Sequence, residues 1–213
     1  MNPSNPLRVA IFGSYYRGYY TLSEVLDLKH NLNGLEIVGV ATDDPSASFV
    51  SASKRIWQYP HTPYEEVMVE RLASSMDIEV YKGKVKSEEF HDLFENKWRP
   101  DVCYMATFGQ LIDPRIFNFP RFGFFNLHPS SDKSWPSYVG GNPFQAMLDQ
   151  NEKYAVITLH KVNESFDDGA LVDVSDRVYI PQETTVPDLH KMTAVLAGKL
   201  VQRHLNHLHR IWW

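Results

Sequence analysis

The sequence predicts an α/β protein with a mostly parallel sheet, helices on both faces and a mixed C-terminal section. Three observations predict it. Leu7–Phe12 and Leu35–Ala41 are short apolar runs flanking a stretch with helical spacing, the strand–helix–strand unit of a parallel sheet. Asp101–Ala106 and Gly123–His128 are two more apolar runs of strand length. Tyr154–His160 and Ala170–Tyr179 follow one another across an Asp-Gly loop, which pairs them as partners.

The elements follow in chain order. The first run ends at the turn Gly13-Ser14, and Thr21–Lys29 carries Leu22, Val25, Leu26 and Leu28 at near-helical spacing. Asn33-Gly34 breaks the chain before the second strand. Asp43–Pro63 holds Pro45, Pro60 and Pro63 and is predicted to be irregular. Tyr64–Met76 reads as a helix, Ile78–Tyr81 as a short strand and Ser87–Lys97 as a helix. Another helix lies near Pro143–Asp149. Thr185 caps the last helix with Asp188 as its box partner, and Leu189, Met192, Leu196 and Leu200 form the inner stripe. No repeat or low-complexity tract interrupts the pattern.

Composition narrows the function classes. A 43% hydrophobic and 22% charged chain of 213 residues can bury a core, which excludes disorder over most of its length. With 21 basic against 26 acidic side chains the net charge is −5, which argues against nucleic acid as the principal partner, since phosphate neutralisation needs a clustered basic surface. A local basic pocket for one or two phosphates stays open. One cysteine, Cys103, allows neither an internal disulfide nor a cysteine-rich zinc site. Met1–Pro6 has no signal-peptide character, and no stretch reaches the ~18 apolar residues of a membrane helix. The expectation is a soluble, cytoplasmic protein with no membrane partner.

Chemistry-bearing residues cluster in three places. Asn126 and His128 stand two apart on a strand, so they project to one side, at its carboxyl end before Pro129 stops the ladder. Either they are hydrogen-bonded core residues, or Asn126 donates to a developing oxyanion while His128 moves a proton. Asp167 lies in the loop Asn163–Gly169, where it is a turn residue or the group that orients an imidazole. Gly13-Ser-Tyr-Tyr-Arg-Gly18 is neither G-x-G-x-x-G nor a Walker loop; it reads as an anion-binding loop or a plain turn carrying Arg17. No G-x-S-x-G, H-E-x-x-H or cysteine cluster is present, and His204, His207 and His209 lack nearby acidic partners for a metal. Cys103 and His160, both mid-strand, read as structural.

At Phe125-Asn-Leu-His-Pro-Ser130 the chain resembles the folate-dependent formyltransferase family, whose motif is Asn-x-His-x-Ser. Leu159–Leu171 is similar to a second family segment, in which Asp167 falls on the catalytic aspartate. Asp101–Ile112 resembles the strand and loop that hold the pterin of 10-formyltetrahydrofolate, which implies Phe108, Gly109, Gln110, Leu111 and Ile112 as folate contacts. Pro136–Gly140 resembles the family's Leu-Pro-x-x-x-Gly segment and implies Tyr138 and Gly140 on the substrate side, with Ser131–Trp135 lengthening the connection. The resemblance runs from about residue 7 to 200. It implies the Rossmann-like formyltransferase fold as a single catalytic domain over 1–213, with the last helix at about 186–210 packed on it.

The resemblance also implies direct, metal-free transfer from 10-formyltetrahydrofolate to an amine. Asn126 and a protonated His128 would stabilise the tetrahedral oxyanion, and Asp167 would help move the proton. Methionyl-tRNA formyltransferase carries a large basic C-terminal domain, and the chain ends at Trp213, so the expectation turns to a small substrate. Rings stack on bases and Arg forks pyrophosphate, so Ser14, Tyr15, Tyr16 and Arg17 suit a nucleotide-linked sugar. The expectation is therefore a sugar N-formyltransferase acting on a nucleotide-linked 4-amino-4,6-dideoxyhexose, GDP-perosamine-type or dTDP-linked, for O-antigen and lipopolysaccharide biosynthesis. A homodimer stays open. The alternative is a glycinamide ribonucleotide formyltransferase of purine synthesis. From another class comes a non-catalytic nucleotide-sugar or folate-binding module, which has no need of Asn126, His128 and Asp167 together.

Overall fold

The computed structural model describes residues 5–51, 56–165 and 167–212. Residues 1–4, on which part of the N-terminal reading rests, lie outside the described residues, as do 52–55, Phe166 and Trp213. The elements are β1 (Leu7–Gly13), α1 (Tyr15–Asn31), β2 (Leu35–Ala41), a 3-10 turn (Ile56–Gln58), α2 (Pro63–Ser75), β3 (Val80–Tyr81), and α3 (Glu88–Asp92) running into a π turn (Leu93–Trp98). There follow β4 (Val102–Ala106), α4 (Pro114–Phe117), β5 (Phe124–Ser131), α5 (Pro143–Asp149), β6 (Tyr154–Lys161), β7 (Leu171–Val174), β8 (Val178–Tyr179) and α6 (Val186–Trp212).

The sheet order is β3-β2-β1-β4-β5-β6-β7, with β8 beside β6. The pairs from β3 to β5 are parallel, and β6 runs antiparallel to β5, β7 and β8. The chain winds outward from β1 and then returns to β4 on its other side. That reversal opens a crevice beyond the carboxyl ends of β1 and β4, where open α/β sheets place ligands.

Alternation along β1 splits the core into two layers. Val9 and Ile11 pack with α1, α2, α5 and α6, while Ala10 and Phe12 pack with Phe90, Phe94, Phe124 and α4. Both faces of the strand are buried, as its continuous apolar run predicts.

Four local departures from expectation have physical causes. Helix α1 starts at Tyr15 rather than Thr21, because a Cβ on Gly18 would lie 2.6 Å from the Gly13 carbonyl carbon, so only paired glycines let the first turn rest on the strand end. Pro129 does not stop β5. Its register partner Ile157 turns both backbone groups away, donating to Ser175 Oγ at 2.9 Å and accepting from Ser175 N–H at 2.9 Å, so no ladder donor is required of the proline. The same Ser175 contact divides the expected Ala170–Tyr179 strand into β7 and β8.

The fourth concerns α6. Met192 is 39% exposed and Leu196 half-buried, whereas Thr193, Ala194, Ala197 and Gly198 are buried. A Cβ on Gly198 would come within 2.7 Å of the Tyr20 carbonyl, so small residues set the close approach of α6 to α1. Thr185 and Asp188 form the expected cap: Thr185 N–H donates to Asp188 Oδ2 at 3.0 Å and Asp188 N–H to Thr185 Oγ1 at 3.3 Å.

Candidate active site

Strand β5 delivers Asn126 and His128 to one face, and the antiparallel register sets His160 of β6 directly opposite Asn126. Beyond β6 the chain turns back through Asp167, which adopts a left-handed φ of 54°. Asn126 Nδ2 donates to Asp167 Oδ1 at 2.9 Å across 41 residues of sequence. His128 Nδ1 lies 3.5 Å and His160 Nε2 3.7 Å from that same oxygen. Asp167 Oδ2 accepts from Gly140 N–H at 3.2 Å. Asn126, His128 and His160 are all buried.

Protonation follows from these partners. His128 Nε2 stands 3.0 Å from the Tyr138 carbonyl, which can only accept, so Nε2 carries the proton and Nδ1 turns its lone pair to Asp167. Burial pushes the His128 pKa down, with Asp167 opposing, and the imidazole is neutral at pH 7. Burial lowers the His160 pKa as well, and its Nε2 has no hydrogen-bond partner. The Asp167 oxygen that accepts the Asn126 amide thus has two imidazole nitrogens beside it, and a proton entering this cluster finds a receiver.

A pocket opens over the cluster at the carboxyl ends of the parallel strands. Its lining includes residues 107–112 with Met105 and Val162, and also Arg17, Gly140–Pro143 and His190. All five expected folate contacts line it, with different parts facing inward. The Phe108 ring is buried in the core, edge-on to Phe12 at 5.7 Å. Gly109 is required by what lies behind the loop. Its N–H donates to both Asp43 carboxylate oxygens, at 3.0 and 2.9 Å, and an added Cβ would meet Val50 Cγ1 at 2.7 Å. The Gln110 amide is held by Val85 N–H and the Gly83 carbonyl. Leu111 and Ile112 supply apolar surface, and Thr107 Oγ1 in this lining is buried without a partner.

On the acceptor side, the structure brings Arg17 and Gly140 to the pocket and leaves Ser14, Tyr15, Tyr16 and Tyr138 outside its lining. Ser14 Oγ accepts from Asp43 N–H at 2.9 Å and pairs with Thr42 Oγ1. Tyr15 is buried against Val50, Ile56 and Trp57, so its ring is covered by protein. Tyr16 lies under Lys191, 5.3 Å from its ring centroid. Tyr138 contributes its carbonyl to His128, while its hydroxyl donates to Gln150 and Glu152. Sequence reasoning missed His160, Thr107 and Trp135. The Trp135 indole rests 4.8 Å from the His160 ring and donates to the Gly169 carbonyl at 3.2 Å, so the lengthened 131–135 connection covers the cluster.

A model of the Formyl transferase family matches residues 8–205. The chain belongs to that family. Among curated relatives, the methionyl-tRNA formyltransferase of Macrococcus caseolyticus (strain JCSC5402) is 30% identical over 178 residues, 83% of this chain and 52% of that protein. The chain spans about half the length of the curated relatives it matches. Among solved structures, glycinamide ribonucleotide transformylase 1 from Geobacillus kaustophilus superposes with a TM-score of 0.68 at 17% identity, covering 94% of this chain and 99% of that one. A formyltetrahydrofolate deformylase from Pseudomonas syringae pv. tomato str. DC3000 gives 0.71 at 19% identity, covering 99% of this chain and 64% of that one. These two structures establish the fold, a mostly parallel α/β sheet as expected.

The curated relatives and the structural neighbours are formyl-transferring or formyltetrahydrofolate enzymes by name. They carry methionyl-tRNA and glycinamide ribonucleotide in their names. That overturns the expected nucleotide-linked amino sugar acceptor, its O-antigen and lipopolysaccharide setting, and the exclusion of nucleic acid. The physical reason lies in residues 13–18: they are a strand end and the first turn of α1, with the Tyr15 ring buried in protein and the half-buried Tyr16 ring beside Lys191, both outside the pocket lining. Among the described residues no helix is long and apolar enough to cross a membrane.

Proposed function

We propose that the enzyme transfers the formyl group of 10-formyltetrahydrofolate directly to the primary amine of glycinamide ribonucleotide. The carrying observation is the convergence of Asn126, His128 and His160 on one oxygen of Asp167. Bound on the 107–112 wall, the folate would supply an activated formyl carbon. The buried, partnerless Thr107 Oγ1 and the apolar Leu111, Ile112 and Val162 suit a heterocycle with one hydrogen-bonding edge.

The protein's own groups account for the rest. Asn126, pinned by Asp167, presents its amide beside the position where negative charge grows on the formyl oxygen. Neutral His128 takes the proton from the attacking amine at Nδ1, and the resulting imidazolium lies against Asp167 with Nε2 still held by Tyr138. The same imidazolium returns the proton to the departing nitrogen. Positioned proton transfer of this kind contributes ~10²–10⁴-fold. A cytoplasmic setting belongs to the same reading, in keeping with the single, buried thiol of Cys103.

The acceptor reading is supported by a buried guanidinium, Arg17, in the lining of the pocket, which suits a phosphorylated amine. A second reading, methionyl-tRNA, is favoured by the 30% identity to the Macrococcus protein. Incubation with 10-formyltetrahydrofolate and each acceptor separates them, read by mass as one formyl group replacing a hydrogen. Formylation of glycinamide ribonucleotide supports the first reading, transfer to methionyl-tRNA alone replaces it, and transfer to neither removes both.

A further inference from the structure

Residues 137–140 touch both His128 and Asp167 through their backbone. The Tyr138 carbonyl meets His128 Nε2 at 3.0 Å, and Gly140 N–H donates to Asp167 Oδ2 at 3.2 Å. One end of the segment is fixed by Ser137, whose hydroxyl pairs with Ser130 Oγ and accepts from Ser131 N–H at 3.0 Å. Between these ties Tyr138 stands at a left-handed φ of 54°, a conformation that a residue with a Cβ keeps only where its surroundings hold it.

The Tyr138 side chain supplies that hold from outside. Its ring packs against the core, and its hydroxyl donates to Glu152 Oε1 at 2.7 Å, with Gln150 Oε1 at 3.0 Å as a second acceptor. Both acceptors sit in the turn that closes α5, where Gln150 N–H donates to the Ala146 carbonyl and Glu152 N–H to the Met147 carbonyl. Glu152 is also tied to Lys133 of the 131–135 connection, and the Lys133 ammonium and the tyrosine hydroxyl together hold its carboxyl below the usual carboxylate range. Tyr138 thus bridges a fixed outer turn and the Nε2 edge of His128, while standing outside the pocket lining.

The bridge matters because the His128 tautomer is contested. With its proton on Nδ1, the ring would turn a donor toward Asp167 Oδ1, 3.5 Å away, and an anionic acceptor is stronger than a neutral carbonyl. That tautomer has no lone pair at Nδ1 and accepts no proton there. With its proton on Nε2, the ring donates to the Tyr138 carbonyl and Nδ1 stays free as a base. The weaker acceptor prevails only while it is kept within hydrogen-bonding distance.

We propose that Tyr138, anchored through its hydroxyl on Glu152 and Gln150, is a positioning residue that holds His128 in the Nε2–H tautomer and so keeps Nδ1 open to the proton of the formyl acceptor. The link to turnover rests on the formyl-transfer reading; the link to the tautomer does not.

The test uses the whole protein with isotope-labelled histidine, followed by nitrogen NMR at pH 7 without ligands. Wild type is expected to carry the His128 proton on Nε2. Tyr138→Phe keeps the ring and removes only the hydroxyl, so it should move a measurable share of His128 to the Nδ1–H form. Its kcat should fall about tenfold, the scale of one lost hydrogen bond, with donor and acceptor KM within about twofold of wild type. Gln150→Ala/Glu152→Ala removes both acceptors and leaves Tyr138 in place; it should give the same tautomer shift and the same kcat loss, and adding Tyr138→Phe to it should bring no further loss. A tyrosine that only packs would lower Tm and leave the His128 nitrogen shifts where they are. The proposal is overturned if wild type carries the His128 proton on Nδ1, if Tyr138→Phe leaves the tautomer unchanged, or if the loss appears in KM rather than kcat. Should Tyr138→Phe not fold, the double acceptor variant decides by the same readouts. If wild type formylates neither acceptor while Tyr138→Phe shifts the tautomer, the acceptor reading fails and the positioning role stands.

Discussion

His160 Nε2 lies 3.7 Å from Asp167 Oδ1, the same oxygen that accepts the Asn126 amide. Asp167 is therefore the hub of the site: its Oδ1 meets three side chains and its Oδ2 is tied to Gly140 N–H. A group so placed holds geometry and charge together. It orders Asn126 before reaction, and it balances an imidazolium that exists only during reaction.

Asp167→Asn should therefore lower kcat by ~10²–10⁴ while changing donor and acceptor KM little, because the lost charge acts in the transition state. Single-turnover and steady-state kinetics of formyl transfer check this. A tenfold or smaller loss would return Asp167 to the role of a turn residue.

The pH dependence has a definite sign. His128 must be neutral to accept the amine proton, and its folded pKa lies below the free-histidine value of about 6.5 because it is buried. The enzyme keeps its base as pH falls through 6.5 and loses it only further down. The acidic limb of kcat/KM assigned to the enzyme should thus lie below about 6.5, after the acceptor's own amine ionisation is subtracted. A limb above that value would mean that Asp167 outweighs burial.

What was legible in the sequence was what local pattern encodes. The strands announced themselves as apolar runs, and alternation alone set Asn126 and His128 on one face. His160 was not legible, because its place depends on the β5–β6 register that sets it opposite Asn126. Nor was the start of α1: Tyr15–Tyr20 has no aliphatic stripe, and the contact between Gly13 and Gly18 that admits the turn is a packing fact. Tyr15 and Tyr16 looked like open rings because sequence records ring type and not direction, and Trp57 and Lys191 cover them.

Trp135 offers a third expectation. Its indole, 4.8 Å from the His160 ring, helps keep water from the Asp167 cluster. Trp135→Ala should raise the His160 pKa toward its ordinary value and lower kcat by about tenfold, as charge interactions weaken with hydration. Histidine titration by NMR together with kcat checks it. An unchanged His160 titration would show that the indole is packing only.

The last expectation concerns stability at a distance from the chemistry. His204 of α6 pairs through Nδ1 with the Tyr104 hydroxyl at 2.7 Å and meets the Phe125 ring at 4.5 Å, pinning the long helix to β4 and β5. Burial lowers its pKa to about 4 in the folded chain, against about 6.5 when unfolded. Above pH 6.5 both states are neutral and the contact keeps its full contribution. Between about 6.5 and 4 the unfolded chain binds the proton and the folded one does not, so this residue withdraws about 1.4 kcal/mol of stability per pH unit. Below about 4 the folded state protonates as well and the loss levels off. His204→Phe removes the titration while keeping a ring in the site. Urea unfolding of wild type and variant at pH 7, 6 and 5 should show the wild type losing stability more steeply, with the difference confined to that acidic window. Parallel pH profiles would mean that His204 titrates alike in both states and that the Tyr104 contact does not hold it neutral.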